Sequence, residues 1–266
     1  MELIIQPDAE AAALLTARLI AKELRAKPAL VLGLATGRTM ERVYRYLVRM
    51  HREEGLDFAW CHTFNLDEYI GLPPDHPGSY RHYMNTHLFQ HVNIEIRNTH
   101  LPDGMAEDLA AECAAYERRI QKCGGIDLQL VGIGREGHIG FNEPLSALRS
   151  RTREKALTPS TRAANAAPFG GDPTGVPERA ITMGVGTILE GRRCLMLVTG
   201  ETKAGILAKA VEGPITAMVS ASALQLHPHC RVIVDEEAAA RLQGSAYYRW
   251  LFENEPEWQE FRPGER

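Results

Sequence analysis

No apolar run in these 266 residues approaches the roughly 20 needed to cross a bilayer, because charge interrupts every hydrophobic stretch within a strand's length. The opening MELIIQPDAE has a strand-like apolar run but no cationic region, long hydrophobic core or cleavage site. A soluble protein with no membrane partner is expected. The five cysteines (Cys61, Cys113, Cys123, Cys194, Cys230) are odd in number, and no CxxC occurs, so neither a disulfide framework nor a zinc knuckle is indicated. Reduced thiols in the cytoplasm follow as the expectation, with Cys61 and Cys194 as small buried hydrophobes inside apolar runs. Charge of one sign is also missing. Thirty basic residues face 34 acidic ones, a net charge of −4, and no basic stripe interleaves with aromatics, which argues against a nucleic-acid partner. No Ser/Gly linker, low-complexity block or repeat of 20 to 50 residues divides the chain, so residues 1–266 read as one domain.

What is present is an alternation of two periodicities. Ala9 to Arg25 carries apolar residues at helical spacing (Leu14, Leu15, Leu19, Ile20, Leu24), and the six-residue apolar run Ala29 to Leu34 follows it. The pattern continues with helical Met40 to Met50, strand-like Ala59 to Asn65, and helical Ser79 to His91 and Ala106 to Gln121. Strand-like Ile126 to Val131 and Arg192 to Thr199 come next, then helical Lys203 to Val211, strand-like Cys230 to Asp235 and helical Glu236 to Leu242. Strands alternating with helices imply right-handed crossovers. The fold class is α/β: a mostly parallel open sheet covered by helices on both faces, a Rossmann-like three-layer sandwich.

Chemistry concentrates where these strands end, the edge at which open α/β sheets bind ligands. Gly132 to Pro144, GIGREGHIGFNEP, sets a histidine, two glutamates and four glycines after the Ile126 to Val131 run. Gly132, Gly134 and Gly137 satisfy GxGxxG, but Gly137 leads into polar HIGFNEP and then charged RSRTREK rather than an amphipathic helix, so a nicotinamide site is rejected. His138 can carry a proton at a sugar ring oxygen near neutral pH, and Glu143 or Glu136 can hold its imidazole in the useful tautomer. Ala35-Thr36-Gly37-Arg38-Thr39 precedes a helix, so Thr36, Gly37, Arg38 and Thr39 suit an anion cradle that is not a Walker loop. Asp67 and Glu68 end another strand-like run in a loop, and a carboxylate in a partly dry cleft suits proton removal next to a carbonyl. Lys203 starts a helix at the same edge as a point charge for phosphate. Gly184-Val185-Gly186-Thr187 forms a further glycine-rich turn. His87 and His91 are spaced i, i+4, yet Leu88 stands where a metalloprotease HExxH needs Glu, and His227-Pro228-His229 reads as a turn. No metal or cofactor is expected.

Taken together, LGLATGRT, TFNLDEYIGL, GIGREGHIGFNEP, SRTREK, GVGT and KAxxxxxAVEG strongly resemble the glucosamine-6-phosphate deaminase (isomerase) family, nearly end to end. The resemblance implies conversion of glucosamine 6-phosphate and water to fructose 6-phosphate and ammonia, without metal or organic cofactor. By resemblance His138 opens the pyranose ring, Glu143 supports it, and Asp67 moves the proton between C2 and C1 through an enolamine, with Glu68 behind it and Gly137 in the sugar-binding loop. Glu136 stands where the family often has Asp or Asn. Ala167 stands where the family usually has a lid arginine that binds the phosphate, and Arg38 occupies a position that is often glycine or serine. The expectation is that Arg38 replaces the missing cation. The resemblance also implies a lid at about 157–180, with Pro168 to Pro177 as a mobile loop. It implies a homo-oligomer, since some bacterial members are hexamers activated by N-acetylglucosamine 6-phosphate at subunit interfaces; Ser146, Arg153 and Lys155 match that allosteric site, whereas Ala156 replaces a frequent threonine. Two other readings compete. A 6-phosphogluconolactonase typically has an SLFP-like sequence after the histidine instead of FNEP, and a non-catalytic sugar-phosphate sensor has no need to retain Asp67, His138 and Glu143.

Overall fold

The computed structural model describes residues 1–262. The chain begins with β1 (Glu2–Gln6), α1 (Ala9–Ala26), β2 (Val31–Leu34), α2 (Arg38–Glu54), β3 (His62–Asn65), β4 (Asp67–Tyr69) and α3 (Tyr80–His87). It continues through β5 (Thr99–His100), α4 (Leu109–Lys122), β6 (Leu128–Val131), β7 (Arg153–Ala156), α5 (Pro159–Ala164) and β8 (Arg179–Thr182). The last third holds α6 (Val185–Leu189), β9 (Cys194–Val198), α7 (Ala204–Val211), β10 (Cys230–Asp235), α8 (Glu236–Ala239) and α9 (Ser245–Asn254).

Seven strands form one sheet in the order β1-β10-β9-β6-β2-β3-β5, and every pairing in it is parallel. All residues of β2, β6 and β9 are buried, as strands covered on both faces must be. From β2 the chain winds outward through β3 to β5, then returns to β6 on the other side of β2 and winds away through β9 and β10. The β2/β6 boundary is therefore the topological switch point, where a crevice opens beyond the strand ends. Asp127, just before β6, accepts the Val31 amide at 2.8 Å and extends the pairing across that boundary.

The α/β reading holds, and the structure adds a small second sheet of order β4-β8-β7, entirely antiparallel. Asp67 and Glu68, read as loop residues, lie in β4, and the charged stretch around Arg153 is β7. Strands of three or four residues are too short to declare an alternating pattern. This sheet covers its own core of Tyr69, Phe141, Leu157, Ala166, Val176 and Ala180. The helix expected through His91 ends at His87, where Leu88 leaves helical geometry before a 3-10 turn. The segment after β9 opens with a 3-10 turn over Glu201–Lys203 before α7 begins.

Candidate active site

A cavity of about 300 Å³ lies at the switch point, lined by the loops that follow β2, β3, β6 and β9 and by α5. Asp67, His138, Thr36, Gly37, Thr39 and Lys203 all line it, so four loops distant in sequence meet there. Arg38 joins them at the rim.

Asp67 is held by two sheets. Leu66 donates to Leu34 O at 3.0 Å as the last link to the large sheet, and Asp67 then pairs with Thr182 in the small one. The side chain is 6 % exposed, and burial, with the Glu68 charge adding to it, raises its pKa from 3.8 to about 8. Glu68 is directed elsewhere. Its carboxylate accepts the backbone N–H groups of Tyr69, Tyr80 and Arg81, each at 2.9 Å, and so caps the start of α3 outside the cavity lining. Its links to the cavity are the charge that it adds at Asp67 and its hold on the amide of Tyr80, a lining residue.

His138 Nδ1 lies 3.2 Å from Glu143 Oε2. The pair is close but off the hydrogen-bond axis. Burial raises the pKa of Glu143, but the facing His138 imidazole and the hydrogen bonds from Thr161 and Thr158 outweigh it and bring the pKa down to about 2. Thr161 Oγ1 donates to Glu143 Oε1 at 2.6 Å. Glu143 thus stays anionic and fixes the imidazole. Glu136 does not take this part: its carboxylate accepts the Ser160 hydroxyl at 3.1 Å, and its side chain is exposed beyond the cavity lining. The turn between Gly134 and Gly137 sends it to the outside. A Cβ at Gly134 would overlap the His138 imidazole, so the glycine lets the ring lie on its own loop. The loop is pinned from below by Asn142, whose Nδ2 donates to Ile139 O and Met183 O at 2.8 and 2.9 Å.

The anion end is built by α2, whose first turn faces the cavity and presents unpaired backbone N–H groups there. Lys203 arrives from the far side of the switch point. Asp235 accepts the Gly200 amide at 3.0 Å while capping α8 at Ala238, and this fixes the turn that carries the lysine. Its Nζ donates to Ile133 O at 2.9 Å, and burial together with the Arg135 charge lowers its pKa. Arg135 is the residue that sequence reasoning missed. It lines the cavity beside Arg38 and Lys203, and its place in the β6 loop was the only available signal. Three cations and a helix start give this end of the cavity a chemistry suited to an anion.

Other candidates lie apart. Gly137 has φ +81°, and a Cβ there would meet Val219 and Ile206, so it serves the turn and its packing rather than sugar contact. Ser146, Arg153 and Lys155 are outside the cavity: Ser146 is buried, and Arg153 Nη1 donates to Asn142 Oδ1 at 2.9 Å. Gly184 and Gly186 pack α6 against the backbone of Arg149 and Ser150. Ala167 sits in a 3-10 turn outside the lining.

An open parallel sheet with a carboxylate, an imidazole–carboxylate pair and an anion cradle at its switch point defines a protein built to move protons on a small anionic ligand. The chain belongs to the glucosamine-6-phosphate isomerases/6-phosphogluconolactonase family, whose model matches residues 7–234. It is 48 % identical over 97 % of its length to a glucosamine-6-phosphate deaminase of Streptomyces coelicolor, covering 99 % of that protein. Among solved structures it is similar to one described as a monomeric glucosamine-6-phosphate deaminase, with TM-score 0.88, 44 % identity, and coverage of 91 % of this chain and 100 % of that one. A 6-phosphogluconolactonase from Trypanosoma cruzi shares the fold at TM-score 0.72 and 18 % identity, covering 91 % of this chain and 97 % of its own. The homo-oligomer implied by resemblance gains nothing from the monomeric neighbour.

Proposed function

We propose that this chain isomerises and deaminates glucosamine 6-phosphate, giving fructose 6-phosphate and ammonia. The carrying observation is that Asp67, with its raised pKa, shares one cavity with His138 and a cation-rich helix start. In this reading Arg38, Arg135, Lys203 and the α2 amides hold the phosphate at one end, leaving C1 and C2 near Asp67.

His138 removes the proton from the anomeric hydroxyl as C1–O5 breaks and returns one to O5, while Glu143 stabilises the imidazolium that forms between the two transfers. Ionised Asp67 then takes the C2 proton, the C2–H electrons form the C1=C2 bond, and the C1=O π pair moves onto O1, which takes a proton from solvent to give the enolamine. The same carboxyl delivers that proton to C1, leaving an imine at C2. Water adds to C2, and ammonia departs. Every step is proton transfer or addition, within the capacity of these side chains.

Purified protein given glucosamine 6-phosphate without added metal should release ammonia and fructose 6-phosphate in equal amounts, and it should leave 6-phosphogluconolactone at its background hydrolysis rate. Lactone turnover without ammonia would exchange this reading for the lactonase, and tight binding without turnover would exchange it for the sensor.

The domain reading carries a lid at about 157–180. Ser160, Thr161, Ala164 and Asn165 line the cavity, and the Arg162 guanidinium donates to Val176 O at 3.1 Å, drawing the segment together. Backbone amides between Pro168 and Pro177 should exchange more slowly when an inert sugar phosphate is bound. Identical exchange with and without ligand would remove the lid from the proposal.

A further inference from the structure

We propose that His62, His100 and Cys123 form a site for a zinc-type divalent cation, separate from the catalytic cavity. One ring nitrogen of each histidine and the Cys123 sulfur all lie within 4.8 Å of one another, and Cys123 Sγ is 3.9 Å from His62 Nδ1. The two imidazoles are 5.9 Å apart between centroids and only 6° from parallel. All three residues are half-buried.

Independent features converge on the same cluster. His100 Nε2 is buried with no hydrogen-bond partner among the described residues. Burial, with the neighbouring His62, Arg119 and Arg81 charges, lowers the His100 pKa to about 4, which keeps its ring neutral and able to ligate at physiological pH. The Arg119 charge is itself paired with Glu112. Cys123 is the C-cap of the 14-residue α4, where the negative end of the helix dipole favours a cation. Burial raises its thiol pKa, so binding must expel one proton to solvent as the metal–sulfur bond forms.

Two imidazoles and a thiolate suit Zn²⁺ and disfavour Mg²⁺ and Ca²⁺, which take oxygen ligands. Tetrahedral zinc with bonds of 2.0 to 2.3 Å needs donors roughly 3.5 Å apart, so the side-chain tips must close by about 1 Å. Water would complete the fourth position. His62 opens β3 at the end of the sheet away from Asp67, and β5 is a two-residue edge strand, so the ion would tie the sheet's weakest edge to α4.

The test uses the full chain stripped with chelator, titrated with Zn²⁺ against a chromogenic competitor and separately with Co²⁺, beside Cys123→Ser and His100→Gln. One equivalent of Zn²⁺, a thiolate-to-cobalt charge-transfer band, and a loss of affinity of about tenfold or more in each variant would support the site. Zn²⁺ should also raise the melting temperature of the parent protein more than that of Cys123→Ser. Metal-free deaminase activity should be the same in Cys123→Ser. Undetectable Zn²⁺ binding, a missing charge-transfer band, or parent-like affinity in both variants would overturn the proposal, the last pointing to His138 and its acids as the ligands.

Discussion

Asp67→Asn should lower kcat by about 10²–10⁴-fold, the usual worth of a positioned acid–base group, while KM changes little. The amide keeps the shape but cannot take the C2 proton. In the parent enzyme kcat/KM should climb with pH until it levels near 8, because the base is active only when ionised and burial holds its pKa at about 8. A wild-type rate in the variant would remove Asp67 from the chemistry. The same substitution carries a second signature of opposite sign. Asp67 has pKa 3.8 in an ordinary setting and about 8 when folded, so the folded state binds a proton that the unfolded chain releases between those values. Stability is fully present below about pH 4 and is lost as pH rises toward 8, at up to ~1.4 kcal/mol per pH unit. Asn does not titrate. The variant should therefore be the more stable protein at neutral pH, by a margin that widens across this window and then stays constant. Denaturant midpoints at several pH values measure it, and a gap that is flat with pH would contradict the buried state of this carboxyl.

Arg38→Ala should raise KM for the phosphorylated sugar about 10–100-fold with kcat nearly unchanged. One charge-assisted hydrogen bond is worth roughly 1.5–3 kcal/mol, and ~1.4 kcal/mol is tenfold in binding. Arg38 is exposed at the start of α2, on the cavity rim, and carries no proton that the reaction uses, so its loss should weaken binding without touching proton transfer. Arg135→Ala provides the comparison. If Arg38 alone replaces the cation missing at Ala167, only its removal raises KM steeply; if the two guanidiniums share the phosphate, each does so and the double variant is worse. An unchanged KM in Arg38→Ala would leave the phosphate to the α2 amides, Lys203 and Arg135.

Much of this was legible in the sequence. Buried strands announce themselves: β9 is wholly apolar, β6 is apolar but for Gln129, and β10 is apolar between Arg231 and Asp235, and the loops that follow such strands meet at the switch point by topology. Asp67, His138, Arg38 and Lys203 could be assigned to one edge for that reason. What escaped depends on contacts that have no sequence period. Glu136 and Glu143 flank His138 equally as letters, and only the turn between them decides which one reaches the ring. Glu68 follows Asp67 directly, yet strand geometry turns it to the opposite side, onto the amides of α3. Arg135 and Glu136 are exposed neighbours in one loop, but only the arginine lines the cavity. The metal-ligand cluster joins three elements by side chains alone, so no spacing rule could anticipate it.

Leu66 is the single residue between the end of the large parallel sheet and the start of the small antiparallel one, and the strands β7 and β8 of that small sheet hold the two roots of segment 157–180. Asp67 and both ends of that segment therefore belong to one three-stranded ladder. Asp67 pairs directly with Thr182 of β8, so a substitution in β8 should be felt at the base as well as in the segment.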